Sequence, residues 1–294
     1  MMMFTNMVLC DIKIGIWKRW KLFLFSSIMF SLLAVFARVD FDAALRMEPS
    51  PIRTAVTLGD YFCYLFGGTS AGNLPIEFVD NDGFVNAMFH FNFPSIWALT
   101  YLVLLLITLQ YPYEDLMGFG KNIIVLSGRI CDWWLSKCIW TMLTVVLYFL
   151  LAFGCFSTVS LLLGAEGNLN IGTYYPYFRF DSPDFITDPP WNIVPTLLMQ
   201  IPVGIGLCVM QLTFSVATSR LASYLICVGF LLAIAYTQHS LLFPNISMFA
   251  RNIDIVTNGL MPVVELIVIA WFAVVSILVG YIYLKYSDIL NKNR

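Results

Sequence analysis

The stretch YPYEDLMGFGKNIIVLSGRICDWWLSKCIW, residues 111–140, separates two greasy runs and is the most patterned polar segment of the chain. Pro112 suits the first turn of a helix, where no amide hydrogen is needed. Glu114 and Asp115 follow at once, where carboxylates favour the positive end of the helix dipole by a few tenths to about 1 kcal/mol. Leu116, Met117, Phe119, Ile123, Ile124 and Leu126 then form an apolar face, with Lys121 and Asn122 off it. Ser127-Gly128 stops this helix, and Ser127 is placed to cap the next one. Arg129, Asp132 and Lys137 mark the entry of the following apolar run, with Trp133 and Trp134 expected at a membrane interface. The stretch predicts a short amphipathic helix under a membrane, joined rigidly to a long span.

Composition agrees with that setting. Of 294 residues, 60% are hydrophobic and 12% charged, against about 25% charged in a soluble domain. So few charges cannot cover a water-facing shell. Sixteen basic and eighteen acidic residues nearly cancel, which gives no reason to expect nucleic acid as a partner. A hydrocarbon core about 30 Å thick needs roughly 20 apolar helical residues, and six segments qualify: 22–37, 94–110, 137–163, 195–218, 221–239 and 263–284. The expected fold is all-α, a polytopic membrane protein forming a single transmembrane domain over 1–294.

Cation bias sets its direction. Lys13, Lys18, Arg19, Lys21, Lys121, Arg129, Lys137, Arg220, Lys285, Lys292 and Arg294 fall on one side, and Arg38, Arg46, Arg53, Arg179 and Arg251 on the other. That distribution places both termini, the 111–136 loop and the 285–294 tail in the cytoplasm of a cell-membrane protein.

The remaining segments sort around the spans. Residues 6–20 suit either an interfacial helix or an ordinary positive flank, and no small-x-small site follows the first apolar run to mark a cleaved leader. Residues 38–93 form an outer segment whose patch TLGDYFCYLFGGTSAG (57–72) is too short to span. Residues 164–194 form a second outer loop, rich in aromatic residues. Residues 240–262 are interrupted by Pro244, Asn245, Gly259 and Pro262, which predicts a broken or re-entrant segment, since irregular backbone at membrane depth must be covered by protein or a water-filled cavity. Asn245 also heads a glycosylation sequon, a cheap match. The seven cysteines show no CxxC spacing and read as buried apolar thiols.

Site candidates are few. Glu265 is the one carboxylate inside an expected span, and an intramembrane ionisable group is a functional candidate by default; its place near the span's start also permits snorkelling to the interface. Gln200, Gln211 and Gln238 are candidates for a transport path or for helix–helix hydrogen bonds. Arg220 reads as a topology anchor in the turn between spans four and five. His90 and His239 have no partner spacing, and the methionines are scattered, so no metal is expected. Asp181, Asp184 and Asp188 read as a turn-rich acidic loop rather than a catalytic set.

Here the chain resembles a family. Six spans with both ends inside, an amphipathic lead and a short helix between spans two and three are similar to the permease subunits of type-2 ABC exporters, the ABC-2-type membrane proteins. That family's loop carries a Glu, a Gly, an Arg and then a Lys opening span three, an order met by Glu114, Gly118 or Gly120, Arg129 and Lys137. The resemblance covers the whole chain in topology and is motif-like over 113–137. It implies that the loop helix is a coupling helix, with Glu114, Asp115, Gly118, Gly120, Arg129 and Lys137 as the coupling residues, docking on a cytoplasmic ATP-binding subunit. ATP and Mg²⁺ would then sit on that partner, and none would be bound by this chain. The chain has no G-x-x-x-x-G-K-[ST]; GFGKN at 118–122 lacks the spacing and the hydroxyl. The resemblance further implies a second permease copy or paralogue, and an amphipathic or hydrophobic cargo such as a peptide, antibiotic or lipid-like molecule. An ion- or proton-coupled transporter using Glu265, with Gln200 and Gln211 along its path, is the alternative, although a second buried carboxylate and an internal repeat are missing from the sequence.

Overall fold

A computed structural model of the protein describes residues 2–47, 56–69, 93–127, 129–172, 190–256 and 259–287. His90, the acidic trio Asp181, Asp184 and Asp188, most of the 38–93 segment, over half of the 164–194 loop and the end of the tail lie outside the described residues.

Helix α1 (Met2–Gly15) passes through a 3-10 turn at Trp17–Arg19 into α2 (Trp20–Met47). Helix α3 (Leu58–Phe66) begins with a capping box, in which Thr57 Oγ1 accepts from the Asp60 amide and Asp60 Oδ2 accepts from the Thr57 amide at 2.9 Å. Its nine residues are all buried, and it is far too short to cross a bilayer. Helices α4 (Ser95–Met117) and α5 (Phe119–Ser127) lead into α6 (Ile130–Leu162). Two two-residue strands, β1 (Asn170–Ile171) and β2 (Trp191–Asn192), pair antiparallel before α7 (Val194–Ala217) and α8 (Arg220–Tyr236). Two 3-10 turns, Phe243–Ser247 and Phe249–Arg251, precede α9 (Pro262–Tyr286).

Among the described residues, five helical stretches are long and apolar enough to cross a membrane: Phe4–Ala43, which contains most of α2, and α4, α6, α7 and α9. They mark a predominantly helical, multi-pass membrane protein. Helix α7 sits at the centre, packed by α4, α6, α8, α9 and the turn at Phe243–Ser247. Helix α9 is peripheral, and Val263, Ile267, Trp271, Val274, Leu278 and Ile282 form an exposed apolar stripe at helical spacing, the face a lipid-bathed helix presents. Helix α8 has 17 residues, about 25 Å at 1.5 Å each. Its start meets Glu114 through Arg220, while its last carbonyls reach Arg251 at the opposite end of the bundle.

Polar contacts gather at these two ends. One holds the α1–α2 turn, the α4–α5–α6 junction, the α7–α8 turn and the end of α9. The other holds α3, the paired strands β1 and β2, the 3-10 turns and the start of α9. There, Leu58 and Gly59 amides donate to Glu166 and Asn168 carbonyls, each at 2.9 Å, and the Gly172 amide donates to Asp60 Oδ1 at 2.7 Å. Burial raises the Asp60 carboxyl above its ordinary value, against the hydrogen bonds from the Thr57 and Gly172 amides and the Thr57 hydroxyl.

Several expectations need correction. Pro112 does not open a helix; α4 runs through it to Met117, leaving the Thr108 carbonyl without its amide partner. The short helix therefore starts at Phe119. Trp133 and Trp134 are buried among the helices and do not present their rings at the protein surface. An added Cβ at Gly280 would stand 2.2 Å from Trp134, so the missing side chain on α9 makes the slot that the indole fills. The exposed tryptophans of the basic end are Trp17 and Trp20, at 79% and 56%. Cys63, Cys138, Cys208 and Cys227 are buried, whereas Cys10 and Cys131 are exposed. Asn245 is fully buried and is no acceptor for a glycan in this fold.

Candidate functional site

The site builds from one buried cation. Lys137 lies about two turns into α6, and it is only 2% exposed, so its ammonium needs partners in place of water. Asp11 of α1 supplies one oxygen at 2.5 Å, and Asp115, in the last turn of α4, supplies another at 2.8 Å. The ammonium also stands 4.7 Å from the centroid of the Tyr111 ring and 5.4 Å from that of Trp133, within cation–π range.

The two carboxylates are held in turn. Tyr111 donates its hydroxyl to Asp11 Oδ1 at 2.6 Å, and Ser136 donates to Asp11 Oδ2. Trp133 donates Nε1–H to Asp115 Oδ2 at 2.9 Å. One positive and two negative charges are therefore offset by three neutral donors, and three separate helices meet at one nitrogen.

Gly120 is required by this geometry. A Cβ there would lie 2.5 Å from Asp115 Oδ2 and 2.6 Å from Trp133 Nε1. Gly118 differs; it ends α4 and donates its amide to the Asp115 carbonyl at 3.1 Å. Between the two candidate glycines, the structure gives the tight contact to Gly120. Below the junction, Leu116 and Ile124 join Trp133, Trp134, Cys138, Leu212, Val216 and Leu284 in a second apolar cluster. That cluster seats α5 against α6, α7 and α9.

Around this buried clamp lies an exposed ring of charge. Glu114 pairs with Arg19 and, at 3.5 Å, with Arg220, which also stands 4.9 Å from the Tyr113 ring centroid. Arg19 donates to Gln110 at 3.2 Å as well. Arg129 precedes α6 and pairs with Asp132 at 3.5 Å. Of the coupling candidates, Asp115, Gly120 and Lys137 form the interior, and Glu114 and Arg129 the rim.

The transport-path candidates lie elsewhere and apart. Gln200 accepts from Tyr101 at 2.8 Å and donates to the Thr196 and Ser247 carbonyls, so α4, α7 and the 3-10 turn are tied through it. Gln211 accepts from Thr108 at 3.1 Å, while its amide nitrogen has no hydrogen-bond partner among the described residues. Glu265 is fully buried in the first turn of α9, and neither carboxylate oxygen has a hydrogen-bond partner among the described residues. No group of three or more metal-ligating side chains occurs among the described residues.

Two residues of consequence carried no sequence signal. Asp11 is a lone acid in an otherwise apolar and basic lead, and its partner is 126 positions away. Arg251 had the look of an outer-side cation but is fully buried. Its guanidinium donates to the Ile234, Ala235 and Thr237 carbonyls at 2.7–3.2 Å, to the Thr69 carbonyl at 3.0 Å, and to Asn245. It thereby satisfies the carbonyls that α8 leaves open at its C-terminus, where a cation also favours the dipole. Neither a protein-family model, nor a curated protein, nor a solved structure matches the chain.

Proposed function

We propose that this chain is the membrane-spanning permease subunit of an ATP-driven exporter of the type-2 ABC kind, with α5 as the helix through which a separate cytoplasmic ATPase drives it. The observation that carries this is the Lys137 clamp. A short helix can transmit a push only if its connections are stiff, and here Lys137 on its exit side is bound both to Asp115 on its entry side and to Asp11 of α1. Displacement of α5 is thereby delivered to α4, α6 and α1 together. The rim charges Glu114, Arg19, Arg220 and Arg129 surround it, where a partner would dock.

In this account all six of α2, α4, α6, α7, α8 and α9 cross the membrane, with both termini in the cytoplasm and α1 along the inner interface. The cation bias supports that orientation. The cargo is amphipathic or hydrophobic, and a second permease copy completes the path. ATP and Mg²⁺ belong to the partner, since this sequence has no phosphate-cradling motif.

A gentle-detergent pull-down from native membranes tests the proposal. A co-purifying chain with an ATP-binding motif, lost with Glu114→Lys but kept with Glu114→Gln, is the expected result; no such chain under any mild condition contradicts it. The second reading, an ion- or proton-coupled transporter, is favoured by one observation, the carboxylate of Glu265, buried without a hydrogen-bond partner among the described residues.

A further inference from the structure

We infer that the cleft between the start of α6 and the end of α9 is a binding site for the headgroup of an anionic phospholipid. The cleft measures about 250 Å³ and is lined by Arg129, Cys131, Asp132, Tyr281 and Lys285, with Ile130. Two cations face one carboxylate, so its charge is net positive and suits a phosphate. Its volume falls below the roughly 300–1,000 Å³ of pockets that enclose a drug-sized ligand. It holds a headgroup and leaves the rest of a lipid outside.

The wall above it favours a lipid over free phosphate. Leu135 on α6 and Leu278 and Ile282 on α9 are exposed, at 38%, 54% and 52%, on helices apolar enough to cross a membrane. Acyl chains have apolar surface to lie on directly beside the charged cleft, and inorganic phosphate has no use for it. The back of the cleft is rigid: Trp134 of α6 donates to the Ile277 carbonyl of α9 at 2.8 Å and fills the space left by Gly280. Basic pockets between membrane helices at a charged interface are a general way of holding anionic headgroups. The bound lipid would brace α6 against α9 within about two turns of the Lys137 clamp. Only the leaflet depends on the orientation proposed above; the site itself does not need the ATPase.

Cys131 provides the readout, because it is exposed and lines the cleft, while the exposed Cys10 lies on α1 outside it. The full chain is placed in nanodiscs of phosphatidylcholine, with or without phosphatidylglycerol, and maleimide labelling of each cysteine is followed by mass spectrometry. The expected result is labelling of Cys131 slowed several-fold relative to Cys10 by phosphatidylglycerol. Inorganic phosphate in phosphatidylcholine discs should leave the ratio unchanged, and an Arg129→Gln/Lys285→Gln variant should lose the protection. Equal ratios in both lipids overturn the inference, as does protection that survives the double variant. Equal protection by inorganic phosphate alone also overturns it, leaving a free-anion site. None of these readouts involves ATP hydrolysis, so the result stands apart from the pull-down.

Discussion

Lys137 Nζ stands 2.5 Å from an Asp11 oxygen and 2.8 Å from an Asp115 oxygen, joining residues that are 126 and 22 positions away in the chain at a point closed to water. Removing one member of a buried charge set strands the others, at a cost of about 3–5 kcal/mol. Lys137→Met strands two carboxylates and is expected to fall in that range. Asp115→Asn keeps the Lys137–Asp11 pair and should cost less than half as much. Thermal unfolding of the detergent-solubilised variants checks the order; equal losses would mean that the three charges do not act as a set.

Gly120 and Gly118 should respond differently to the same methyl group. Gly120→Ala pushes a Cβ into the Asp115–Trp133 hydrogen bond, and overpacking of this kind costs about 1–3 kcal/mol. At Gly118 the nearest such neighbour is the Glu114 carbonyl at 3.1 Å, and the backbone has negative φ, so Gly118→Ala should be mild. Melting temperatures, together with tryptophan fluorescence for the Trp133 contact, give the comparison.

Glu114 offers a test that separates docking from stability. Its ion pairs are on the surface, its side chain is 47% exposed, and exposed pairs are worth about 0–1 kcal/mol. Glu114→Gln should leave the melting temperature nearly unchanged. A large loss of stability in that variant would show that the rim is structural instead.

At the opposite end, Arg251 has a planar fork that lysine does not reproduce. Arg251→Lys leaves carbonyls at the end of α8 unsatisfied, each worth about 1–3 kcal/mol when buried. A sharply reduced yield of monodisperse protein is expected, with Arg251→Met worse, since it removes every donor. Size-exclusion profiles of the variants report it.

Asp60 sets a pH dependence whose sign follows from burial. Desolvation raises its folded value above the ordinary 3.8, so the folded state holds the proton more tightly. Its stabilising contribution is complete below the unfolded value and is lost as pH rises through the folded one. Hydrogen exchange at the Gly172 amide should therefore accelerate, beyond its intrinsic base catalysis, as pH rises through that window. Asp60→Asn should flatten this excess.

Five of the six expected spans were legible because length and hydropathy are local properties, and so was a short helix in the loop, with Ile124 as a buried contact. Two features crossed those limits. The end of α4 was placed too early because Pro112 signals a helix start, yet the contact of Asp115, three residues past Pro112, with Lys137 holds the helix together past the lost amide. Trp133 and Trp134 carry the usual signature of a membrane interface, and only Gly280, some 146 residues on, opens the slot that buries Trp134. Asp11 and Arg251 were opaque for the same reason. Their roles are defined by partners distant in sequence, and a single charge has no period.

The most direct measurement places a photo-crosslinking amino acid at Asn122, which is exposed on α5, in cells expressing the chain at native level. The account predicts one dominant adduct, to a cytoplasmic protein carrying a G-x-x-x-x-G-K-[ST] motif, with a yield that changes when ATP is depleted. An adduct only to lipid, or to a partner without an ATP site, would contradict it.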